Sequence, residues 1–419
     1  MLSTEVADGA VAAPVSRRTP FLTLAIVGLG GLFAGVTGPL LSTFVPLLVR
    51  DTLGNNRTAI GGVMAIDNVL LLLLVPWAGV MSDRASDRGG SRLPLVLGGF
   101  ALAAVGMAIF PSSAQFGLIG LIAAIVLLYS GINLQRSPFH ALIADVVPSH
   151  YRAAAVGSVT FQMCVGAVVF LMLGRILGMR MAFLIASGTV LAIAVTFAGA
   201  LRESGRSTAT AVEATFGSLA GAVWTAVRGA VPGMRAMFLA TLLLQMIFQT
   251  FTTWFALHGT ERFGVKPEDV TIGFIAWAMG GVVGALPAGA IGVRIGRRNT
   301  MLLGFGLMLA CFVALDRISD LSMAIPLLAL ASAAWTLPTA TAYPLFIEQI
   351  PRHARGVLAS LFLLCMALGG AIGDPLNGRL FDLFDSYRPL FVHMSVYTAL
   401  AIAATLAIPR GAGEADIAG

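Results

Sequence analysis

The fold this sequence predicts is an all-α integral membrane protein of twelve transmembrane helices, arranged as two pseudo-symmetric six-helix halves. Three observations predict it. Hydrophobic residues make up 58% of the chain and charged residues 11%, with a mean hydropathy of +0.90, whereas a soluble domain carries about 25% charged residues. Twelve apolar runs are each long enough to cross a bilayer. An acidic, proline, histidine, arginine pattern also occurs twice at a constant offset in the chain.

The first nineteen residues are small and polar and end near Arg17-Arg18, like the start of a signal peptide. The apolar run from Phe21 to Val49 is too long for a signal core and reads as an uncleaved first span. The further spans lie near 59–81, 93–111, 116–144, 153–173, 181–201, 236–258, 270–292, 299–315, 321–346, 355–378 and 389–408. The organisation expected is a tail (1–20), a six-helix half (21–201), a central loop (202–235), a second half (236–408) and a second tail (409–419). Phe216, Leu219, Val223, Trp224 and Val227 give the central loop an amphipathic stretch that reads as a surface-lying helix.

The net charge is +6, yet Lys266 is the only lysine and the arginines sit mostly in short inter-span loops. That pattern speaks for membrane topology and against nucleic acid. With both termini cytoplasmic, sixteen basic residues lie inside and nine outside, Arg136 being the remainder, which follows the positive-inside rule. A cell (plasma or inner) membrane and a monomer are expected. Cys164, Cys311 and Cys365 lie within apolar runs and show no paired spacing, so neither a disulfide framework nor a metal site is expected. The sequence contains no G-x-x-x-x-G-K-[ST] loop, so no ATP-driven step, cofactor or catalytic residue is expected.

The repeat is Asp145-x-x-Pro148-x-His150-x-Arg152, echoed 203 residues later as Glu348-x-x-Pro351-x-His353-x-Arg355. The segment Gly79 to Arg92 is echoed in shorter form by Gly289 to Arg298. Parallel six-span halves with a site between them follow from such repeats.

Arg136 and His140 lie well inside span 4, and intramembrane ionisable residues are functional candidates by default. On a helix, Tyr129, Asn133, Arg136 and His140 fall at i, i+4, i+7 and i+11, so hydroxyl, amide, guanidinium and imidazole share one stripe. Arg136 reads either as a ligand to solute oxygens or as a structural partner of Asp67. For the opposite wall, Gln245, Gln249 and Thr253 recur at four-residue spacing in span 7, and Trp335, Thr339 and Tyr343 do so in span 10. Such stripes serve interhelical hydrogen bonding or, as aromatic faces beside amides and hydroxyls, the binding of a polyhydroxylated ring. Asp67 in span 2 is a candidate for ion coupling, because a carboxylate alternating between wet and dry surroundings can take up a proton in one and release it in the other. Asp374, before Pro375, is a second candidate, although its place after Gly369, Gly370 and Gly373 also reads as an outer-end kink.

The run Gly79-Val80-Met81-Ser82-Asp83-Arg84 resembles the signature loop of the major facilitator superfamily. Its continuation through Arg88, Gly90, Arg92 and Pro94 resembles the longer form in the glycoside-pentoside-hexuronide:cation symporters and the sucrose transporters. Asp67-Asn68 with Pro76 and Gly79, and N-L-Q-R-S-P-F-H-A-L-I-A-D in span 4, carry the same resemblance; His140 takes the place of the family's arginine and Arg136 stands one turn earlier. The resemblance implies alternating access with a cytoplasmic gate built from Asp83, Arg84, Arg88, Arg92, Asp145, Arg152, Arg294, Arg298, Glu348 and Arg355. A secondary active transporter moving a sugar or another small polar solute with a proton or other cation is expected. A proton-antiporting exporter, for which Gly373-Asp374-Pro375 speaks while the absence of proline from span 5 speaks against, and a non-transporting sensor on the same scaffold are the alternatives.

Overall fold

The computed structural model describes residues 20–201, 233–348 and 355–409, the side chains of 346–363 apart. The central loop with its expected surface helix, and both tails, lie outside the described residues. In the first half, α1 is Pro20–Leu53, α2 Arg57–Asp87, α3 Leu93–Ser113 and α4 Gly117–Val146. The helical stretch Arg152–Ala200 breaks at Gly178, whose φ of 77° and ψ of 170° only glycine adopts without strain, into α5 (152–177) and α6 (179–200). The second half runs α7 Met234–Arg262, α8 Pro267–Ile295, α9 Arg297–Leu315, α10 Leu321–Glu348, α11 Arg355–Phe384 and α12 Leu390–Leu406. Among the described residues, eight stretches are long and apolar enough to cross a membrane, and those at Leu93–Val146 and Ala154–Ala200 each hold two helices.

Local chemistry sets the helix ends. The Asn56 side chain accepts the Ala59 amide at 2.9 Å at the start of α2. Pro267 opens α8 with Glu268 and Asp269 in its first turn, where the helix dipole favours acids. Asp320 accepts the Ser322 amide at 2.7 Å ahead of α10. In lipid, every backbone polar group needs an internal partner. Threonine hydroxyls turn inward accordingly: Thr37, Thr241, Thr250 and Thr398 each donate to the carbonyl four residues earlier.

The halves repeat one packing scheme, with α3 on α4 and α2 on α4 in the first, and α9 on α10 and α8 on α10 in the second. Each has an aromatic core: Phe33, Phe100, Phe110 and Phe183 in one; Trp254, Phe255, Phe305 and Phe312 in the other, all fully buried. The repeated sequence pattern falls at the α4–α5 and α10–α11 connections, and residues 349–354 of the second lie outside the described residues. The first copy links α4 to α5 through a single 3-10 turn, Ser149–Tyr151, and the second runs from the last residue of α10 to the first of α11.

α2 packs on α11 across the halves, and glycines bring the backbones together. A Cβ on Gly61 would meet the Asp374 carbonyl at 2.3 Å, and one on Gly378 the Arg57 carbonyl at 2.4 Å. We call the end holding the α2–α3 and α8–α9 loops the near end and the opposite one the far end. Hydrogen bonds and ion pairs between described residues of the two halves lie at the far end, at Arg57, Thr58, Arg50 and Arg175, or midway, at Asn68. The far end is therefore shut.

Candidate functional site

Five helices converge midway through the bundle on a cavity of about 70 Å³. Ser42 of α1, Asp67 and Asn68 of α2 and Tyr129 of α4 line it from the first half. Gln249, Thr252 and Thr253 of α7 and Asp374 of α11 line it from the second. Of its lining only Met64 is apolar. A drug-sized solute needs a pocket of about 300 Å³ or more, while one water needs about 10–15 Å³ of space of this kind. The cavity thus suits an ion with a few waters and falls well short of a drug-sized pocket.

Asp67 accepts a hydrogen bond from Asn133 Nδ2 at 2.9 Å. The Asn133 side chain is fully buried, and its Oδ1 has no partner among the described residues. Asp374 is 1% exposed and lies within reach of the side chains of Thr253 and Trp254, although among the described residues neither carboxylate oxygen has a partner in good hydrogen-bond geometry. The carboxylates are close enough to interact electrostatically. Asp374 does not end its helix, since α11 continues ten residues beyond it to Phe384. Pro375 removes one amide from the ladder without ending the helix, because neighbouring helices hold the segment in place.

Arg136 and His140 lie on the exposed side of α4, on the stripe headed by Tyr129, toward the near end. Arg136 forms no ion pair among the described residues. It acts on Asp67 and His140 through space only. No Arg136–Asp67 ion pair is formed among the described residues, and the hydrogen bond to Asp67 Oδ1 comes from Asn133 instead.

On the facing wall, Gln249 donates to Asn68 Oδ1 at 3.2 Å and Thr253 lines the cavity. Gln245 departs from the expected site. It is buried in the α7–α11 seam, its Cβ 2.5 Å from where a Cβ on Gly369 would stand. Trp335 stacks on Phe248, with ring centroids 5.0 Å apart, while the Thr339 hydroxyl donates to the Trp335 carbonyl at 2.8 Å, which leaves it an acceptor only. Tyr343 is exposed.

The near-end gate residues divide. Arg92 is fully buried and joins three groups of its own half: Asp145 at 2.8 Å, Ser82 Oγ at 3.0 Å and, in a short contact, Asp83. Burial opposes the guanidinium charge, but the two carboxylates outweigh it and hold its pKa above the usual arginine range. Arg152 donates to the Ala144 carbonyl at 3.0 Å, and Arg298 to the carbonyls of Thr405 at 3.2 Å and Leu406 at 2.8 Å, so both cap helix ends. Arg84, Arg88 and Arg294 are exposed. The side chains of Glu348 and Arg355 lie outside the described residues. The contacts described above for Asp83, Arg92, Asp145, Arg152 and Arg298 each lie within one half.

The far-end contacts are ones sequence reasoning missed. Asp382 of α11 accepts the Arg57 amide at 3.0 Å and the Thr58 amide at 2.9 Å, capping α2 from the other half. Arg57 is buried, pairs with Asp385 at 2.7 Å and lies over the Tyr387 ring at 4.8 Å. Arg50 donates to Thr260 at 3.3 Å, and Arg175 pairs with Asp269 at 3.2 Å. The acids Asp382 and Asp385 end an apolar run and look like loop residues, so only the helix extension to Phe384 makes them legible.

Residues 27–374 match the model of the Major Facilitator Superfamily. The structure is similar to that of the nucleoside transporter NupG, with a TM-score of 0.75 at 13% identity over 94% of this chain and 100% of that one. It is also similar to a D-xylose-proton symporter, with a TM-score of 0.71 at 15% identity over 93% and 97%. A third likeness is to a bacterial homolog of the human lysosomal transporter Spinster in an inward-facing, occupied conformation, with a TM-score of 0.72 at 14% identity over 93% and 97%. In sequence, an uncharacterized symporter of Synechocystis sp. is 27% identical over 186 residues, 41% of this chain and 32% of that protein, so the match spans about a third of the relative's length. Twelve helices in two repeating halves among the described residues, a polar cavity between them and a family match across most of the chain agree: this multi-pass membrane protein is a transporter of the Major Facilitator Superfamily.

Proposed function

We propose that this protein is a cation-coupled symporter of a small polar solute, with a sugar or glycoside the expected class, and that its near end and both termini are cytoplasmic. The cavity carries the reading: it brings one carboxylate from each half together in a space too small for the solute, so the site serves the coupling ion. The solute then belongs beside it, toward the near end. There Arg136 and His140 offer donors from α4, and the Trp335–Phe248 stack offers an apolar face. Distant likeness to a symporter in sequence, and to a sugar-proton symporter in fold, supports the same class.

With the near end cytoplasmic, the conformation is closed to the outside. Exposed Arg84, Arg88 and Arg294 then find carboxylate partners when the inner side closes. The test uses purified protein in proteoliposomes. Uptake of a solute found by thermal-shift screening should be driven above equilibrium by an imposed inward proton or sodium gradient. Asp67→Asn should abolish that accumulation while sparing solute binding. Export under the same gradient would reverse the direction, and binding without any transport would make the protein a sensor.

A further inference from the structure

We propose that Asp67 and Asp374 form one site, shared between the halves, that holds a single positive charge, as a proton or a monovalent cation, whenever the far end is closed. The proposal rests on the cation-coupled reading above and adds that loading of this site is what permits far-end closure.

Both carboxylates line one cavity, and none of its lining residues is cationic. Asp374 is 1% exposed and lines the cavity, with Thr253 and Trp254 within reach but no well-formed hydrogen bond to either oxygen among the described residues, and the buried Asn133 Oδ1 beside Asp67 has no partner among them either. The titratable and charged groups facing the pair are Tyr129 and Arg136 from α4 and Tyr397 from α12, while α1 and α7 line the cavity with neutral groups. Arg136 acts on Asp67, and its exposed position screens that attraction. Two ionised carboxylates in such a space repel strongly, and one intervening positive charge turns the repulsion into a bridge. The remaining donors are hydroxyl and amide oxygens, which suit a hard monovalent cation or a hydrated proton.

The pair straddles the seam that opens. Gly61, six residues before Asp67, packs on the backbone carbonyl of Asp374 itself, so parting α2 from α11 separates the carboxylates. Loading and closure are therefore linked, and each favours the other by the same free energy. The empty pair resists far-end closure. The charge enters from the far side, closure follows, and release occurs after the near end has opened.

The experiment labels cysteines at Asn55 and Arg388, one in each half at the far end, with spin probes in the full-length Cys164→Ser protein, and measures their separation in nanodiscs. In sodium-free buffer, raising the pH from about 5 to about 9 should shift wild type from the short to the long distance. Asp67→Asn/Asp374→Asn should stay short throughout, and either single variant should stay short too, which keeps the test usable where the double variant misfolds. Restoration of the short distance at high pH by sodium, but not by choline, identifies a metal cation; closure by acid alone identifies a proton. A wild-type distance insensitive to both, or neutral variants that open like wild type, overturns the proposal. If gradient-driven uptake is nonetheless observed, the transport reading stands and only the shared site fails; if the distance responds but no solute moves, the shared site stands without the symporter.

Discussion

Asp382 and Thr58 belong to different halves, and the Asp382 carboxylate takes both the amide and the hydroxyl of Thr58. A helix start in one half is thus capped by a side chain of the other, and the cap exists only while the far end is shut. Loss of a capping acid costs about 0.5–2 kcal/mol, which is roughly a 2- to 30-fold change in an equilibrium. Asp382→Ala should therefore raise the far-end-open population by that factor. Faster labelling of a cysteine at Ser42 by an impermeant reagent on the outer side would show it.

Arg92 should behave as a structural residue. Removing one member of a buried ion pair costs about 3–5 kcal/mol, so Arg92→Ala should lower the melting temperature strongly. Arg84→Ala and Arg88→Ala, at exposed positions, should leave it unchanged. Equal melting temperatures in all three would remove Arg92 from the brace.

Arg136 has the opposite profile. It has no ion pair to lose, so Arg136→Lys should fold normally, yet its compact ammonium lacks the planar fork of donors. Solute affinity in a thermal-shift titration should fall at least about tenfold, the worth of roughly one charged hydrogen bond. Unchanged affinity would place the solute elsewhere.

Orientation is open to direct test. Cysteines at Arg88 in the α2–α3 loop and at Asn55 in the α1–α2 loop are both exposed and lie at opposite ends of α2. On intact cells an impermeant maleimide should label the Asn55 cysteine and spare the Arg88 cysteine. The reverse pattern would invert the proposed topology.

The helices were legible because hydropathy over some twenty residues is a strong signal; each expected span finds a helix within about four residues of its bounds, except where α2 and α11 run on through polar ends. The stripe Tyr129, Asn133, Arg136 and His140 was legible for the same reason, since helical spacing alone puts residues on one face. The meeting of Asp67 with Asp374 was not. They stand 307 positions apart on helices that are not equivalents in the repeat, and only the docking of the halves brings them together. Arg92 showed the converse limit: a loop arginine in sequence, it is fully buried because the ends of α2 and α4 converge on it.

The glycine seam between α2 and α11 has a kinetic meaning. Where Gly61 and Gly378 rest on opposing backbone, there are no interlocked side chains to withdraw and no rotamers to rearrange before the helices part. Such a contact separates as two smooth rods do, with little friction at the start of the stroke. Opening is then resisted by the polar contacts of Asp382 and Asp385 with Arg57 and Thr58 at the end of the seam rather than by the seam itself.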